Sequence, residues 1–289
     1  MNNKPLLISG IHRSGSTWLA NMLTLNSDTL FIDEPFNIGN WAFKLGGLAK
    51  GYYTYIPDID ENEARVQFQK VLENQTRCVF SKRKKEHWLP FMRTGRQIIK
   101  DPIAALSTEW LYKNFELDIL ILVRHPAAYV SSLKRMNWNF PFEHLSSQKK
   151  LMSSELFPFR DSIQSPPEDF IERAALSWKC IYHVLSNYIN RNEWLYKRHE
   201  DLAGNPVVQI KSIYDEYDLN WNKNVEDTIK KYSDHSNPVK VKKGKTHELR
   251  RDSRNLRYKW KKDLHNNDIE IIKDITSPVW EEFYTENDW

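Results

Sequence analysis

Ile8-Ser-Gly-Ile-His-Arg-Ser-Gly-Ser-Thr17, followed directly by Trp18-Leu19, is the stretch that decides the fold of this chain. An apolar run from Pro5 to Ile8 enters a small, polar turn, and a helical pattern starts at once behind it. Such a strand, turn and helix aim backbone N–H groups outward at a helix start. The dipole there favours an anion, and Gly15 lets the backbone come close to it. The turn is not the nucleoside-triphosphate loop, which needs Gly-Lys-Ser/Thr with its hydroxyl on magnesium. Here Arg13 precedes the glycine and no lysine follows Gly15. The pattern points to a phosphate-bearing donor held by arginine without a metal. A Ser/Gly turn that only caps the helix is the plain alternative.

Outward from this turn, short apolar runs alternate with helical patterns, as in a parallel sheet with crossover helices. Strands are predicted at Leu6–Ile8, Leu30–Ile32, Cys78–Phe80, Gln97–Ile99, Ile119–Val123 and Trp194–Tyr196. Ile119-Leu-Ile-Leu-Val123 is apolar throughout, as a central strand buried on both faces should be. From Phe170 to Ile189 the apolar residues form a helical stripe, which assigns Trp178 and Tyr182 to the core. Between Met136 and Pro167 the periodicity fades, and residues 137–167 read as an insertion covering the sheet's carboxyl edge, where ligands bind in open α/β folds. The expectation is one domain over residues 1–289, α/β in class, with a central, mostly parallel sheet between helical layers.

The chain has 42 Lys and Arg against 38 Asp and Glu, a net charge of only +4. The excess is local: residues 239–262 hold eleven Lys or Arg and two acids. General nucleic-acid binding is therefore not expected; one segment alone is strongly basic. Cys78 and Cys180 are too few and too far apart for a disulfide framework or a zinc site and read as buried thiols. The N-terminus runs straight into the first strand, and no stretch approaches the roughly twenty apolar residues of a spanning helix. A soluble, cytoplasmic protein is expected. Its oligomeric state is not written in the sequence.

Three further groups carry chemistry. In Leu122-Val-Arg-His-Pro-Ala-Ala-Tyr-Val-Ser-Ser-Leu133 a buried strand ends in Arg124, Pro126 opens a helix, and Ser132 follows two turns later. The Arg and the Ser can converge on one anion, a fork of donors with a hydroxyl beside it. Phe31-Ile-Asp-Glu-Pro-Phe36 places Glu34 at the end of the second strand, at the same sheet edge as Arg13. Strand alternation would point Asp33 the other way. A carboxylate there can take the proton of an attacking hydroxyl; its plain alternative is a helix N-terminal acid. Ile98-Ile-Lys-Asp-Pro102 brings Lys100 to the end of another strand, where it is either a fixed cation or a surface lysine.

Arg13-Ser-Gly-Ser-Thr-Trp-Leu19 resembles the 5′-phosphosulfate loop of sulfotransferases, enzymes that use 3′-phosphoadenosine-5′-phosphosulfate (PAPS). The Arg124 and Ser132 pair resembles the 3′-phosphate motif of the same family, at a second strand–helix junction and in the same order. Glu34-Pro35-Phe36 and Lys100-Asp-Pro102 are closest to carbohydrate and tyrosine-protein sulfotransferases, and the whole reads as a bacterial-type member. The resemblance covers residues 5–36, 96–133 and 193–262.

The resemblance implies a P-loop-like fold and sulfuryl transfer from PAPS to a hydroxyl, with 3′-phosphoadenosine-5′-phosphate (PAP) as product and no metal. Arg13 with Ser14, Gly15, Ser16 and Thr17 would hold the 5′-phosphosulfate, and Trp18 would lie near the adenine. Arg124 and Ser132 would take the 3′-phosphate, joined by Arg251, Ser253 and Arg254 from the basic segment, which would close over the donor. Glu34 would act as base, and Lys100 and Arg13 would share the developing charge. Cytosolic small-molecule enzymes carry Lys where Arg13 stands. Trp194-Leu-Tyr-Lys-Arg-His-Glu-Asp-Leu202 resembles the family's late strand, with Glu200 and Asp201 expected to cap the helix after Gly204. Trp41, Tyr52, Tyr53, Trp138, Phe140 and Phe142 suit stacking on sugar faces, so the favoured acceptor is a saccharide, with protein tyrosine the alternative. The other classes are a degenerate P-loop kinase and a non-catalytic binder of anionic polymers through residues 239–262.

Overall fold

In the computed structural model, residues 4–38, 51–73, 95–234 and 257–289 are described. Five strands form one sheet: β1 (Leu6–Gly10), β2 (Thr29–Asp33), β3 (Arg96–Lys100), β4 (Asp118–Val123) and β5 (Leu195–Arg198). Their order is β2-β3-β1-β4-β5 and every pairing is parallel. Five of the six predicted strands are therefore present; Cys78–Phe80 lies outside the described residues, as do Arg251, Ser253 and Arg254.

Side-chain alternation divides the core into two layers. Leu6, Ile8, Phe31, Ile98, Leu120 and Leu122 face one side. There they meet α1 (Ser16–Leu23) through Leu19, Ala20 and Leu23. Leu7, Ile32, Ile99, Ile119, Ile121 and Val123 face the other. That side is covered by α2 (Pro126–Met136) and by the 23-residue α3 (Phe170–Asn192). A sheet apolar on both faces needs helices on both, which gives the three layers expected. The helix α3 starts at Asp169, whose carboxylate accepts the N–H groups of Ile171 and Glu172 at 2.8 and 3.0 Å. It stops at Glu193 in the left-handed region.

The chain leaves β1 toward β2 and later returns across β1 to reach β4, so the topology switches between β1 and β4. Ligands bind beside the carboxyl ends of strands at such a point. The irregular stretch after α2 contains helices Glu143–Ser146, Lys149–Ser153 and Arg160–Gln164, of four or five residues each. Helices this short show no stripe, which is why the periodicity fades there. Lys150 and Leu151 N–H groups bond Asp58, and the Tyr55 N–H bonds Gln148, tying this stretch to residues 55–58. Among the described residues no helix is long and apolar enough to cross a membrane.

Candidate active site

A cavity of about 600 Å³ opens at the carboxyl ends of the strands, lined by residues of the 12–18 loop, Glu34, Asn37, Arg124, Arg135 and residues 137–141 among others. Its phosphate-loop side is built by backbone conformation. Arg13 has φ 66° and Gly15 φ 96°, both left-handed, so the chain curls back on itself before α1 begins. The N–H of Ser14 closes on the Ile11 carbonyl at 3.2 Å, and Trp18 and Leu19 donate to Gly15. Curls of this kind gather N–H groups around an anion. Gly15 is required twice over: its φ suits glycine, and a Cβ there would lie 2.5 Å from His199 Nδ1. Ser14 is buried beneath the loop, its hydroxyl without a hydrogen-bond partner among the described residues. Ser16, Thr17 and Trp18 reach the cavity wall, Trp18 also packing on the α1 side of the core.

Arg124 and Ser132 do come together with Arg13. An Arg124 Nη donates to the Arg13 carbonyl, and the Ser132 hydroxyl accepts Arg13 Nε–H at 3.3 Å. Ser132 accepts a second guanidinium, Arg135, at 3.4 Å. Arg135 was not singled out from sequence, although it stands one helical turn beyond Ser132. The backbone of Arg124 is fixed from α3. Tyr182 OH donates to the Leu122 carbonyl at 2.9 Å and accepts the N–H groups of Arg124 and Ile11, at 3.3 and 3.5 Å. Trp178 Nε1–H donates to the Arg124 carbonyl at 2.8 Å. Both aromatics are core residues as expected, but their polar ends hold the two phosphate-loop junctions in place.

On the opposite side, Glu34 sits at φ 49° just after β2. Its N–H donates to the Lys100 carbonyl at 2.8 Å, and Asn37 N–H closes the turn on the Glu34 carbonyl at 3.1 Å. Buried Asp101 anchors this turn: one oxygen accepts Phe36 N–H at 2.6 Å, the other the N–H groups of Ile103 and Ala104. Lys100 is 2% exposed and does not line the cavity. Its ammonium meets Glu34 Oε1 and Asp33 Oδ1, each at 2.5 Å. Asp33 keeps to the strand's alternation, in register with Lys100 and off the cavity lining, while the left-handed residue after the strand folds Glu34 back so that both carboxylates reach the same lysine. Burial opposes the charge on Lys100, but Glu34 and Asp33 outweigh it and hold the pKa above the ordinary lysine value. Lys100 is thus neither a surface lysine nor turned into the cavity; Arg13 is one of the cations on the wall, 5.4 Å from the exposed ring of Trp138.

His12, inside the quoted loop, was assigned no role from sequence. It is held by Tyr53 OH, which bonds both its N–H, at 3.0 Å, and its ring Nδ1. Tyr129 OH lies 3.4 Å from its other nitrogen. Burial, reinforced by Arg13, pushes its pKa down to about 3, so the ring is neutral. Phe140 stacks on both His12 and Tyr53, the Tyr53 ring is tilted to the imidazole, and Phe142 lies behind Phe140. Of the aromatics expected to face a sugar, Tyr53 and Phe140 line the cavity though each is only 2% exposed, and Phe142 is packed away behind them. Tyr52 and Trp138 stand at the wall, and Trp41 lies outside the described residues.

The end of the basic segment also reaches the site. Helix α4 (His199–Gly204) and the short α5 (Trp260–Asp263) flank it. Lys259, Trp260 and Asp263 line the cavity, and Trp260 stacks on His125 with ring centroids 4.7 Å apart. Glu200 does not cap the helix after Gly204. It is buried, accepting His125 N–H at 3.2 Å and Tyr284 O–H at 2.8 Å, while Asp201 pairs with Arg198 at 2.7 Å. The following helix starts at Pro206, with Asn205 before it. Among the described residues no cluster of His, Cys, Asp and Glu could hold a metal ion.

A sequence profile described as the sulfotransferase family matches residues 5–223. The chain belongs to that family: it is an enzyme, a sulfotransferase. Among solved structures it is similar to the sulfotransferase domain from the curacin biosynthetic pathway, with 16% identity and a TM-score of 0.52 over 95% of this chain and 98% of that one. It is also similar to mouse sulfotransferase SULT7A1 complexed with PAP, at 12% identity and a TM-score of 0.49 over 100% of this chain and 88% of that one. No curated protein sequence matches it.

Proposed function

We propose that the enzyme moves the sulfuryl group of PAPS to a hydroxyl of a saccharide. The observation that carries the reading is one cavity bordered by the Arg13–Thr17 curl, by Arg124 and by the Glu34 carboxylate. The curl and Arg13 take the 5′-phosphosulfate; the curl's left-handed residues and the close approach at Gly15 fit an anion there. Arg124 and Ser132 take the 3′-phosphate, with Trp18 beside the adenine. Arg251, Ser253 and Arg254 of the basic segment are assigned to the 3′-phosphate with Arg124 and Ser132.

Glu34 accepts the hydroxyl proton as the acceptor oxygen attacks sulfur, and the sulfur–oxygen bond to the donor phosphate breaks, leaving PAP. Arg13 stabilises the charge on the departing oxygen. Lys100 acts on the same charge through Glu34, whose ionised form it holds. For the acceptor, Asn37, Asn137 and Asn139 with the 41%-exposed Trp138 give amide groups beside an aromatic face, the pairing that suits a sugar. Protein tyrosine is the second reading. A kinase would need an acid to organise magnesium at the end of β4, where Arg124 stands. The proposal treats residues 1–289 as one domain and the setting as cytoplasmic, in keeping with the buried thiol of Cys180.

The test is calorimetric binding of PAP in EDTA to wild type and Arg124→Ala, followed by transfer from labelled PAPS to a panel of oligosaccharides and tyrosine peptides. Tight binding, weakened about 10- to 150-fold by the substitution, with label on a saccharide, is the expected result. Binding indifferent to Arg124 would remove the donor assignment, and label on the peptides alone would remove the saccharide.

A further inference from the structure

Glu34 offers two carboxylate oxygens, and the structure treats them differently. Oε1 is 2.5 Å from Lys100 Nζ, an ammonium buried away from the cavity. Oε2 accepts the Asn37 side-chain N–H at 2.6 Å, and Asn37 stands on the cavity wall beside Glu34. Asn37 is also the closing residue of the turn, its backbone N–H on the Glu34 carbonyl at 3.1 Å. The turn is pinned through Phe36 N–H to buried Asp101 and through Glu34 N–H to Lys100. A side chain on so short and so firmly held a turn has little freedom to leave the carboxylate.

We propose that Asn37 is the positioning residue of the Glu34 base, holding Oε2 toward the acceptor and keeping it ionised. This rests on the sulfuryl-transfer reading for its purpose, though not for its geometry. An amide donor is the suitable group for the task. A hydrogen bond to the charged form of a carboxylate favours that form. An amide also does not titrate in the working pH range, so it keeps its protons while Glu34 takes the acceptor's. A second lysine would over-stabilise the carboxylate and blunt it as a base, whereas an amide adds a smaller bias and fixes direction. With Oε1 on Lys100, which lies away from the cavity, Oε2 is the oxygen assigned to the acceptor proton, and Asn37 fixes its direction. Asn37 thereby sets the angle at which a hydroxyl must enter, and so acts on specificity as well as on rate.

The experiment follows Glu34 directly and needs no acceptor. Protein labelled with ¹³C at glutamate carboxylates is titrated by NMR, the Glu34 resonance being assigned by its loss in Glu34→Gln. The Glu34 midpoint is expected to rise by about one unit in Asn37→Ala. It should rise further in Asn37→Asp, where a second carboxylate replaces the amide. PAP binding is measured on each variant and should match wild type, since the side chain of Asn37 is bonded to Glu34 on the acceptor side of the cavity. Midpoints unchanged in both variants would overturn the assignment. So would a shift accompanied by lost PAP binding, which would report collapse of the turn. Wild type that fails to bind PAP would sink the donor reading, and the titration would still decide the role of Asn37.

Discussion

One buried ammonium, Lys100 Nζ, lies 2.5 Å from Glu34 and 2.5 Å from Asp33, so a single cation holds two adjacent carboxylates at the edge of the cavity. The geometry makes Lys100 a governor of the base more than a direct contact of the sulfuryl group. Replacing it with methionine leaves two like charges side by side, which raises the proton affinity of one of them. Lys100→Met is expected to move the acid limb of the kcat/KM profile to higher pH and to lower kcat about a hundredfold or more. PAP affinity should stay near wild type. A large loss of PAP affinity with an unmoved acid limb would show instead that Lys100 serves the donor.

Glu34→Gln keeps the shape of the side chain but cannot accept the proton, and its single amide oxygen can serve only one of the two donors, Lys100 and Asn37. Turnover should fall by about 10²- to 10⁴-fold, the usual share of a general base, with KM for PAPS little changed. Stopped assays at saturating donor measure this. Retention of most of the activity would place the base elsewhere.

Gly15→Ala forces a Cβ to within 2.5 Å of His199 and puts alanine at φ 96°. The curl must open, so PAP affinity should drop by more than tenfold while the melting temperature falls modestly. Pairing it with His199→Ala removes the clash but not the backbone strain. Partial recovery of affinity is expected in the double variant, and full recovery would show that strain is negligible there.

His12 and His125 are both buried with pKa values pushed down to about 3 by loss of solvation. The unfolded chain protonates them near their ordinary 6.5, the folded chain does not. Stability is therefore fully present above about pH 6.5 and lost as pH falls toward 3, by up to about 1.4 kcal/mol per pH unit for each ring. Neither nitrogen of His125 has a hydrogen-bond partner among the described residues, and its ring is enclosed by Trp260, Tyr284 and Trp289. His125→Phe should therefore stabilise the protein by about 1 kcal/mol at neutral pH and flatten its acid sensitivity. Urea denaturation at pH 7 and pH 5 tests both; equal losses in wild type and variant would refute the account.

The sheet was legible in the sequence because its strands are apolar on both faces and its helices carry long stripes, as in Ile119–Val123 and Phe170–Ile189. The loop and the Arg124–Ser132 pair were legible because each sits at a strand end in a short, local pattern. What was not legible depends on long-range contact or on the sign of φ. That Glu34 shares Lys100 with Asp33 is hidden from alternation, which assumes an extended residue at position 34, whereas Glu34 is left-handed. That Tyr53, Phe140 and Phe142 pack on one another, with only slight exposure of the first two at the cavity, depends on contacts across about 90 residues of sequence. Glu200 was read as a cap because the partners it serves, His125 and Tyr284, are remote in the chain.

The Tyr182 hydroxyl, reaching from the middle of α3 to Leu122, Arg124 and Ile11, means that the phosphate loop is not a portable cassette. Grafting residues 8–17 onto another parallel sheet would transfer the loop's letters without the brace that sets its distance from Arg124. An engineer who wished to move this donor site, or to hybridise two such enzymes, would have to carry the long helix with it. The natural seam for building chimaeras lies instead on the acceptor side, between the 34–37 turn and the walls that face it.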